Sequence, residues 1–388
     1  MKNTKAWLLS MAAFCFNLCA QVPAPGLYQG DGWFYTTMIV GKPDTAAWVV
    51  VDKIQEQKII TLRSNGQLAT YKKPWTLEQL KLANGSTLNF GPGGLATPYS
   101  FPLNVGDIQT GEIRANSGVS KDSLTRAQVE GWEKVTVSAG TFNALKINME
   151  IWTVPAGQKA IDYAATPDSR VTQWYVPEVK NYIKRVERNS QQLSVTSQLD
   201  FYVVTDAEKP KQSDIDSAMQ HLAVDFAWTK AAELGVKIGT QLLVRSIEQK
   251  GYVSDQQSER VACVLENLTA KAFVDEVKSS FIEKAATPQV LTEMAKFMET
   301  DAGQQLSVYI RQLLEKWKEG GLASSKFDEA DFIKNFSSVA IEQMNFFGQT
   351  SLGTHALKMM AESPKHVEIA LARVQKKITQ LCIEGKKT

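Results

Sequence analysis

Three histidines, His221, His355 and His366, are the whole imidazole content of this chain. That is little material for a nucleophile–base triad or a histidine-ligated metal site. The richest pattern they allow is His355 and His366 flanking Glu362, a two-histidine, one-carboxylate set. His366 falls in the first turn of a predicted helix that begins at Ser363-Pro364, and His355 in the helix before it. This placement favours isolated surface histidines. Asp328, Glu329 and Asp331 cluster at a predicted helix start, where acids answer the helix macrodipole; no EF-hand loop surrounds them. Glu130 and Glu133 have the types needed for acid–base work. They share a predicted strand with Lys134 and read as a solvated face. Gly91-Pro92-Gly93-Gly94 lacks the Lys-Ser/Thr and the following helix of a phosphate cradle. No HExxH, CxxC pair, GxSxG or GxGxxG stands in a usable context. The expectation is therefore no catalytic residue, no metal and no cofactor.

Tryptophan is the informative excess. Six of the nine lie in the predicted β domain, beyond residue 20: Trp33, Trp48, Trp75, Trp132, Trp152 and Trp174. In Trp48-Val49-Val50-Val51 both alternating faces are apolar, whereas a one-sided sheet has one polar face. Two readings stay open. Either both faces are core, or an apolar groove exists, with Trp33, Trp48, Val50, Trp132, Trp152 and Trp174 as its candidate lining.

The elements that must position these residues change character along the chain. From Trp33 to about Val204 the apolar runs are short, β-branched or aromatic, and broken by Gly, Asn and Pro. Strands are predicted at Trp33 to Val40, Ala46 to Val51, Lys58 to Leu62 and Thr87 to Phe90. Others are predicted at Arg170 to Val176, Tyr182 to Arg188 and Gln192 to Val204. The clearest hairpin joins Trp132–Val137 to a strand from Thr141. In that strand Leu145, Ile147, Met149 and Ile151 alternate with Lys146, Asn148 and Glu150, so one face is buried and one wet. Gly140 supplies the positive φ of the turn. Only Leu77 to Leu82 has helical spacing here. The sheet should therefore be largely antiparallel, because parallel strands need long crossovers.

Polar residues 206–212, with Pro210, read as a linker between a β domain over 21–205 and an all-helical domain over 213–388. About six helices are expected. Thr287-Pro288 and Ser363-Pro364 mark two starts, with a hydroxyl placed to cap each. Val367, Ala370, Leu371, Val374, Ile378 and Leu381 form one apolar stripe, and Gly320-Gly321 ends the helix carrying Trp317. Met294, Phe297, Thr300 and Gly303 recur fifty residues on as Met344, Phe347, Thr350 and Gly353. This echo reads as a packed helix–corner–helix: the Thr caps, the Gly admits a close backbone, and the Phe fills the corner.

The chain has 388 residues, a formal net charge of +2, 44% hydrophobic and 22% charged residues. These values exclude a disordered, collagen-like or disulfide-dense chain. They give no electrostatic reason for a nucleic-acid partner. Residues 1–20, with Lys2 and Lys5 before the apolar stretch Ala6 to Phe16 and Ala20 at the end, read as a cleaved signal peptide. The stretch is short for a membrane span, and no later one is long enough. Loss of residues 1–20 lowers Lys and Arg from 43 to 41, level with 41 Asp and Glu. It also leaves two of the four cysteines, Cys263 and Cys382, in an oxidising compartment. A disulfide between them is expected.

Gly131-Trp132-Glu133-Lys134-Val135-Thr136-Val137 and Ala139-Gly140-Thr141-Phe142-Asn143-Ala144-Leu145-Lys146-Ile147 resemble a pattern of exported bacterial proteins of unknown function. Trp174-Tyr175-Val176-Pro177-Glu178-Val179 and Ile183-Lys184 belong to the same pattern, and Ser138 stands where it usually has proline. The resemblance covers about residues 100–204. It implies kinship with the lipoprotein-localisation (LolA-like) half-barrel, a curved antiparallel sheet that takes acyl chains or a partner on its concave side. Phe297, Thr300, Gly303 and Gln304 resemble a second, helical envelope family of unknown function, over roughly 260–384.

The combined expectation is an α+β protein: a curved, half-barrel-like antiparallel sheet followed by a helical bundle. It would be a bacterial envelope protein, periplasmic or secreted, without catalytic activity, binding an apolar or lipid-like ligand in the β domain. The alternative is a structural module that docks an envelope protein through its helices, and a hydrolase with an unrecognised site ranks third.

Overall fold

Alternating burial organises the first half. The computed structural model describes residues 21–73, 75–90, 99–113, 121–156, 162–190, 193–205, 210–285, 287–320, 334 and 336–384. The proposed signal peptide, the Gly91–Gly94 loop, the Asp328, Glu329 and Asp331 cluster, and Gly321 lie outside these residues. The chain divides into two compact units, Met1–Thr205 and Asp206–Thr388.

The first unit is a twelve-stranded sheet. Its strands are β1 (Gly32–Ile39), β2 (Thr45–Gln55), β3 (Lys58–Arg63), β4 (Leu68–Lys73), β5 (Thr76–Lys81), β6 (Thr87–Asn89), β7 (Ile108–Ile113), β8 (Lys121–Val137), β9 (Gly140–Pro155), β10 (Ser169–Val176), β11 (Asn181–Asn189) and β12 (Ser194–Val203). The order is β6-β5-β4-β3-β2-β1-β12-β11-β10-β9-β8-β7, with antiparallel neighbours throughout. Two meanders therefore meet where the first strand pairs with the last, and the curved sheet stays open at β6 and β7. Hairpins suffice for all but one connection, as expected for antiparallel pairing.

Leu77 to Leu82, the one helix-like stretch, lies mostly in strand β5. Tyr71 pairs with Leu77 while Thr70 pairs with Gln79, so Glu78 is an extra residue in a bulge. The bulge puts Leu77 and Leu80 against the same core. Their spacing of three is what mimics a helix.

One core runs through Trp33, Tyr35, Val51, Tyr71, Val179, Ile183 and Leu199. A second holds Val22, Tyr99, Leu103, Val129, Leu145, Ile147, Met149 and Tyr175. A buried polar knot fixes the end of the unit. Asp31, fully buried, accepts from the backbone N–H of Thr205 at 2.7 Å and of Tyr28 at 2.9 Å, and from Lys180 Nζ at 3.0 Å. Lys180 also donates to the Thr205 carbonyl at 2.8 Å and lies over the Tyr28 ring. Its φ of +62° aims it inward.

The second unit is helical. Nine α-helices lie among the described residues: α1 (Gln212–Asp225), α2 (Trp228–Gln249), α3 (Ser254–Asn267), α4 (Ala270–Lys284), α5 (Pro288–Met298), α6 (Asp301–Gly320), α7 (Ser338–Gln349), α8 (Ser351–Ala361) and α9 (Ser363–Ile378), the last running into a π-helical turn, Thr379–Ile383. Nine exceeds the six expected because several corners take only one or two residues. Phe226-Ala227 and Thr350 each separate two helices without a glycine or proline at the break. Neither predicted hydroxyl caps its helix: Thr287 makes no side-chain cap bond, and Ser363 is inside α9, with Glu362 at the N-cap. The buried face of α9 is also rotated from the predicted stripe. It runs His366, Ala370, Val374, Ile378 and on to Cys382, a spacing of four, while Leu381 is exposed.

Candidate functional site

The wet face of β8 to β12 carries a cavity of about 1050 Å³. Period two puts alternate residues of five strands on that face, and the register lines them up in rungs. One rung is Arg126, Glu150, Arg170, Arg188 and Ser194, each directly opposite the next. The next is Gln128, Asn148, Thr172, Val186 and Thr196. Trp174 stands one rung further, between Lys146 and Lys184. The opposite face is the second core, closed by Val22, Tyr99 and Leu103.

Charge is uneven along this surface. Around Trp174 it is matched: Lys146 Nζ meets Glu130 at 2.8 Å, the Trp174 indole N–H donates to Glu133, and Lys184 Nζ sits 5.3 Å from the Trp174 ring centre. The bond to Glu130 raises the Lys146 ammonium above its ordinary value. Asn148 donates to Glu130 and accepts from Thr172 Oγ1 at 2.8 Å. At the other end Glu150 is the carboxylate of the arginine rung, 3.6 Å from Arg170. Ser190, Ser194, Thr166 and Pro167 complete that end of the cavity.

The six predicted lining residues are not gathered in one place. Trp174 lines the cavity. Trp33 is fully buried, its indole donating to the Val179 carbonyl at 2.7 Å. Trp48 and Val50 are buried on one face of β2 and Val51 on the other, so both faces of this doubly apolar run are covered. Trp152 packs in a small cluster with Leu124 and Val154. Trp132 is exposed. Trp75 stacks edge-on to Trp33 and Tyr71. Sequence reasoning missed Arg126, Arg170 and Arg188; the alternation in β9 had marked only the Lys146, Asn148 and Glu150 face.

In the helical unit, Cys263 and Cys382 form a disulfide with a Cα–Cα distance of 5.6 Å. Phe297 and Phe347 stack at 4.3 Å between ring centres, and Thr300 and Thr350 accept from the N–H of Gly303 and Gly353. A Cβ on Gly353 would lie 1.9 Å from the Phe347 carbonyl oxygen, and one on Gly303 2.3 Å from that of Phe297. Helix α5 packs on α8, and α6 on α7, so the two corners face each other as equivalent halves.

His366 is buried, not at the surface as expected. Its Nδ1 is 2.9 Å from Ser280 Oγ, its ring packs on Phe281, and Nε2 has no partner. Burial lowers its pKa below the ordinary imidazole value. The hydroxyl–imidazole pair has the composition of a nucleophile and base, but it is enclosed in helical core. His355 is on the surface of α8, bonded to the Ser351 carbonyl. Among the described residues no group of three His, Cys, Asp or Glu is placed to hold a metal, and no helix is long and apolar enough to cross a membrane.

No protein-family model and no curated protein matches the chain. Solved structures with a likeness to it are few. A protein described as exported, with a YmcC-like fold, from Bacteroides fragilis NCTC 9343 has a TM-score of 0.28 and 13% identity, over 47% of this chain and 100% of that one. A protein described as a lipoprotein from Parabacteroides distasonis ATCC 8503 gives 0.28 and 15%, over 47% and 100%. The hypothetical lipoprotein YmcC from Escherichia coli K12 gives 0.30 and 11%, over 51% and 97%. At these scores the likeness assigns neither ligand nor activity to this chain.

Proposed function

We propose that this is an exported, non-catalytic binding protein whose β unit takes a lipid-like amphiphile across strands β8 to β12. The observation that carries the reading is the cavity of about 1050 Å³ on the wet face, with Trp174 and Val186 among its lining. A volume of that order holds a ligand of several hundred daltons. The apolar patch is modest, which suits a single-chain amphiphile better than a wholly apolar molecule. Export rests on the signal-like residues 1–20 and on the Cys263–Cys382 disulfide, a bond that persists in oxidising compartments. The non-catalytic reading rests on chemistry: the hydroxyl–imidazole pair at Ser280 and His366 is enclosed within the core of the helical unit.

The test is quenching of tryptophan fluorescence by a doxyl-labelled fatty acid, in the full chain and in Trp174→Phe. Saturable quenching that falls by more than half in the variant supports the site. Equal quenching in both, or none in either, rejects it. N-terminal sequencing of the exported protein should begin near Gln21; an intact Met1 would reject processing.

A further inference from the structure

We infer that the cavity recognises an anionic group, a phosphate or a carboxylate, between Arg170 and Arg188. This deepens, and rests on, the proposed binding of an amphiphile to the same face.

The argument starts from the register. Arg170 and Arg188 stand directly opposite each other on β10 and β11. Side chains so placed have Cβ atoms about 5 Å apart, and like charges there repel. Glu150 flanks Arg170 on the other side, at 3.6 Å, and itself stands between Arg126 and Arg170. Three guanidinium groups thus share one carboxylate in this rung. Among the described residues neither Arg126 nor Arg188 forms an ion pair with a carboxylate. Elsewhere on this surface Lys146 is answered by Glu130, and Lys184 rests its ammonium over the Trp174 ring. The cationic excess is densest at the arginine rung, whose Arg126, Arg170 and Arg188 line the cavity.

An anion between Arg170 and Arg188 relieves the repulsion and accepts two forked, charge-assisted donors. Ser190 and Ser194 line the same end and add hydroxyl donors. Strand geometry then sets the ligand's direction. Val186 is two residues from Arg188, about 7 Å along the strand, and Trp174 is four from Arg170, about 13 Å. A head group at the arginine pair leaves a chain of moderate length to lie over Val186 and against Trp174. Arginine at both positions, on adjacent strands of a rigid sheet, suits bidentate recognition of a planar or tetrahedral oxyanion.

The experiment is calorimetric titration of the full chain with three probes: dodecyl phosphate, dodecyl maltoside and inorganic phosphate, the detergents below micelle-forming concentrations. The expected result is that dodecyl phosphate binds at least tenfold more tightly than dodecyl maltoside, and that Arg188→Gln removes the difference. Inorganic phosphate binding that is lost in Arg188→Gln supports the anion site; if both detergents then fail to bind, the amphiphile reading fails alone. Equal binding of the two detergents, unchanged in Arg188→Gln, overturns the anion site and leaves the amphiphile reading standing. No binding of any probe overturns both. The variant should fold, since it removes a like-charge pair: its urea midpoint without ligand should be equal to or above that of the parent. A clear fall in that midpoint would overturn the premise of unrelieved repulsion.

Discussion

Asp31→Ala tests the packing logic of the β unit most severely. Asp31 is fully buried and accepts from Tyr28, Thr205 and Lys180. Burial raises its carboxyl pKa, against the pull of the two backbone N–H groups and Lys180, so the ionised form depends on those partners. Alanine strands the Lys180 ammonium, whose side chain is 11% exposed. Removing one member of such a buried pair costs about 3–5 kcal/mol. For a unit of this size that lowers Tm by roughly 6–20 °C. Lys180→Met leaves the carboxylate its two backbone donors and should cost less. The double variant should lose less than the sum of the singles, by about 1–3 kcal/mol, because no stranded charge remains. Urea unfolding followed by tryptophan fluorescence reads the β unit, which holds six of the nine tryptophans. A loss below about 1 kcal/mol for Asp31→Ala, the worth of a surface pair, would refute the reasoning. So would strict additivity in the double variant.

Three further outcomes concern the helical unit. Gly353→Ala drives a Cβ to 1.9 Å from a carbonyl oxygen and should cost about 3 kcal/mol or more. Gly348→Ala meets only the Leu357 side chain, at 3.2 Å, and should be milder; equal urea midpoints for the two would contradict the corner geometry. The lowered pKa of His366 means that the unfolded chain binds more protons below its own pKa of about 6.5. The stability this gives is fully present above that pH and is lost as pH falls through the lower folded value. Glu362 opposes the shift and Lys284 adds to it. The urea midpoint should therefore drop between pH 7 and pH 5, with a shallower drop in His366→Phe; identical slopes would exclude His366 as the cause. Replacing Cys263 and Cys382 by serine opens a bridge across a sequence separation of 119 and should cost about 4–5 kcal/mol in the chain-entropy model. An unchanged helical unfolding midpoint by circular dichroism would count against it.

What could be read in advance was whatever is local in sequence. Leu145, Ile147, Met149 and Ile151 announce β9 because each lies two residues from the next, and all but Ile151 are fully buried. The front half of β8 was hidden: in Lys121–Glu130 the buried positions include Asp122, Thr125 and Ala127, which no hydrophobic count marks. Leu77 and Leu80 misled because a bulge at Glu78 converts period two into a spacing of three. His366 misled because it heads the i, i+4 stripe of α9, a place usually held by an apolar residue. The tandem corners at Phe297 and Phe347 were legible because their internal spacing repeats. The cavity was not. Arg126, Glu150, Arg170 and Arg188 lie some twenty residues apart, and only the pairing register brings them into one rung. The tryptophans drew attention to the apolar faces, whereas the cavity is on the polar one.

The central claim is that the wet face of β8 to β12 holds a ligand. Native mass spectrometry of the exported protein, purified from its own cells without detergent, tests it most directly. The account predicts a non-covalent adduct of several hundred daltons that carries a phosphate or carboxylate, present in the parent and depleted in the Arg170→Gln, Arg188→Gln double variant. A bare mass in the parent, or an adduct retained in full by the double variant, would contradict it.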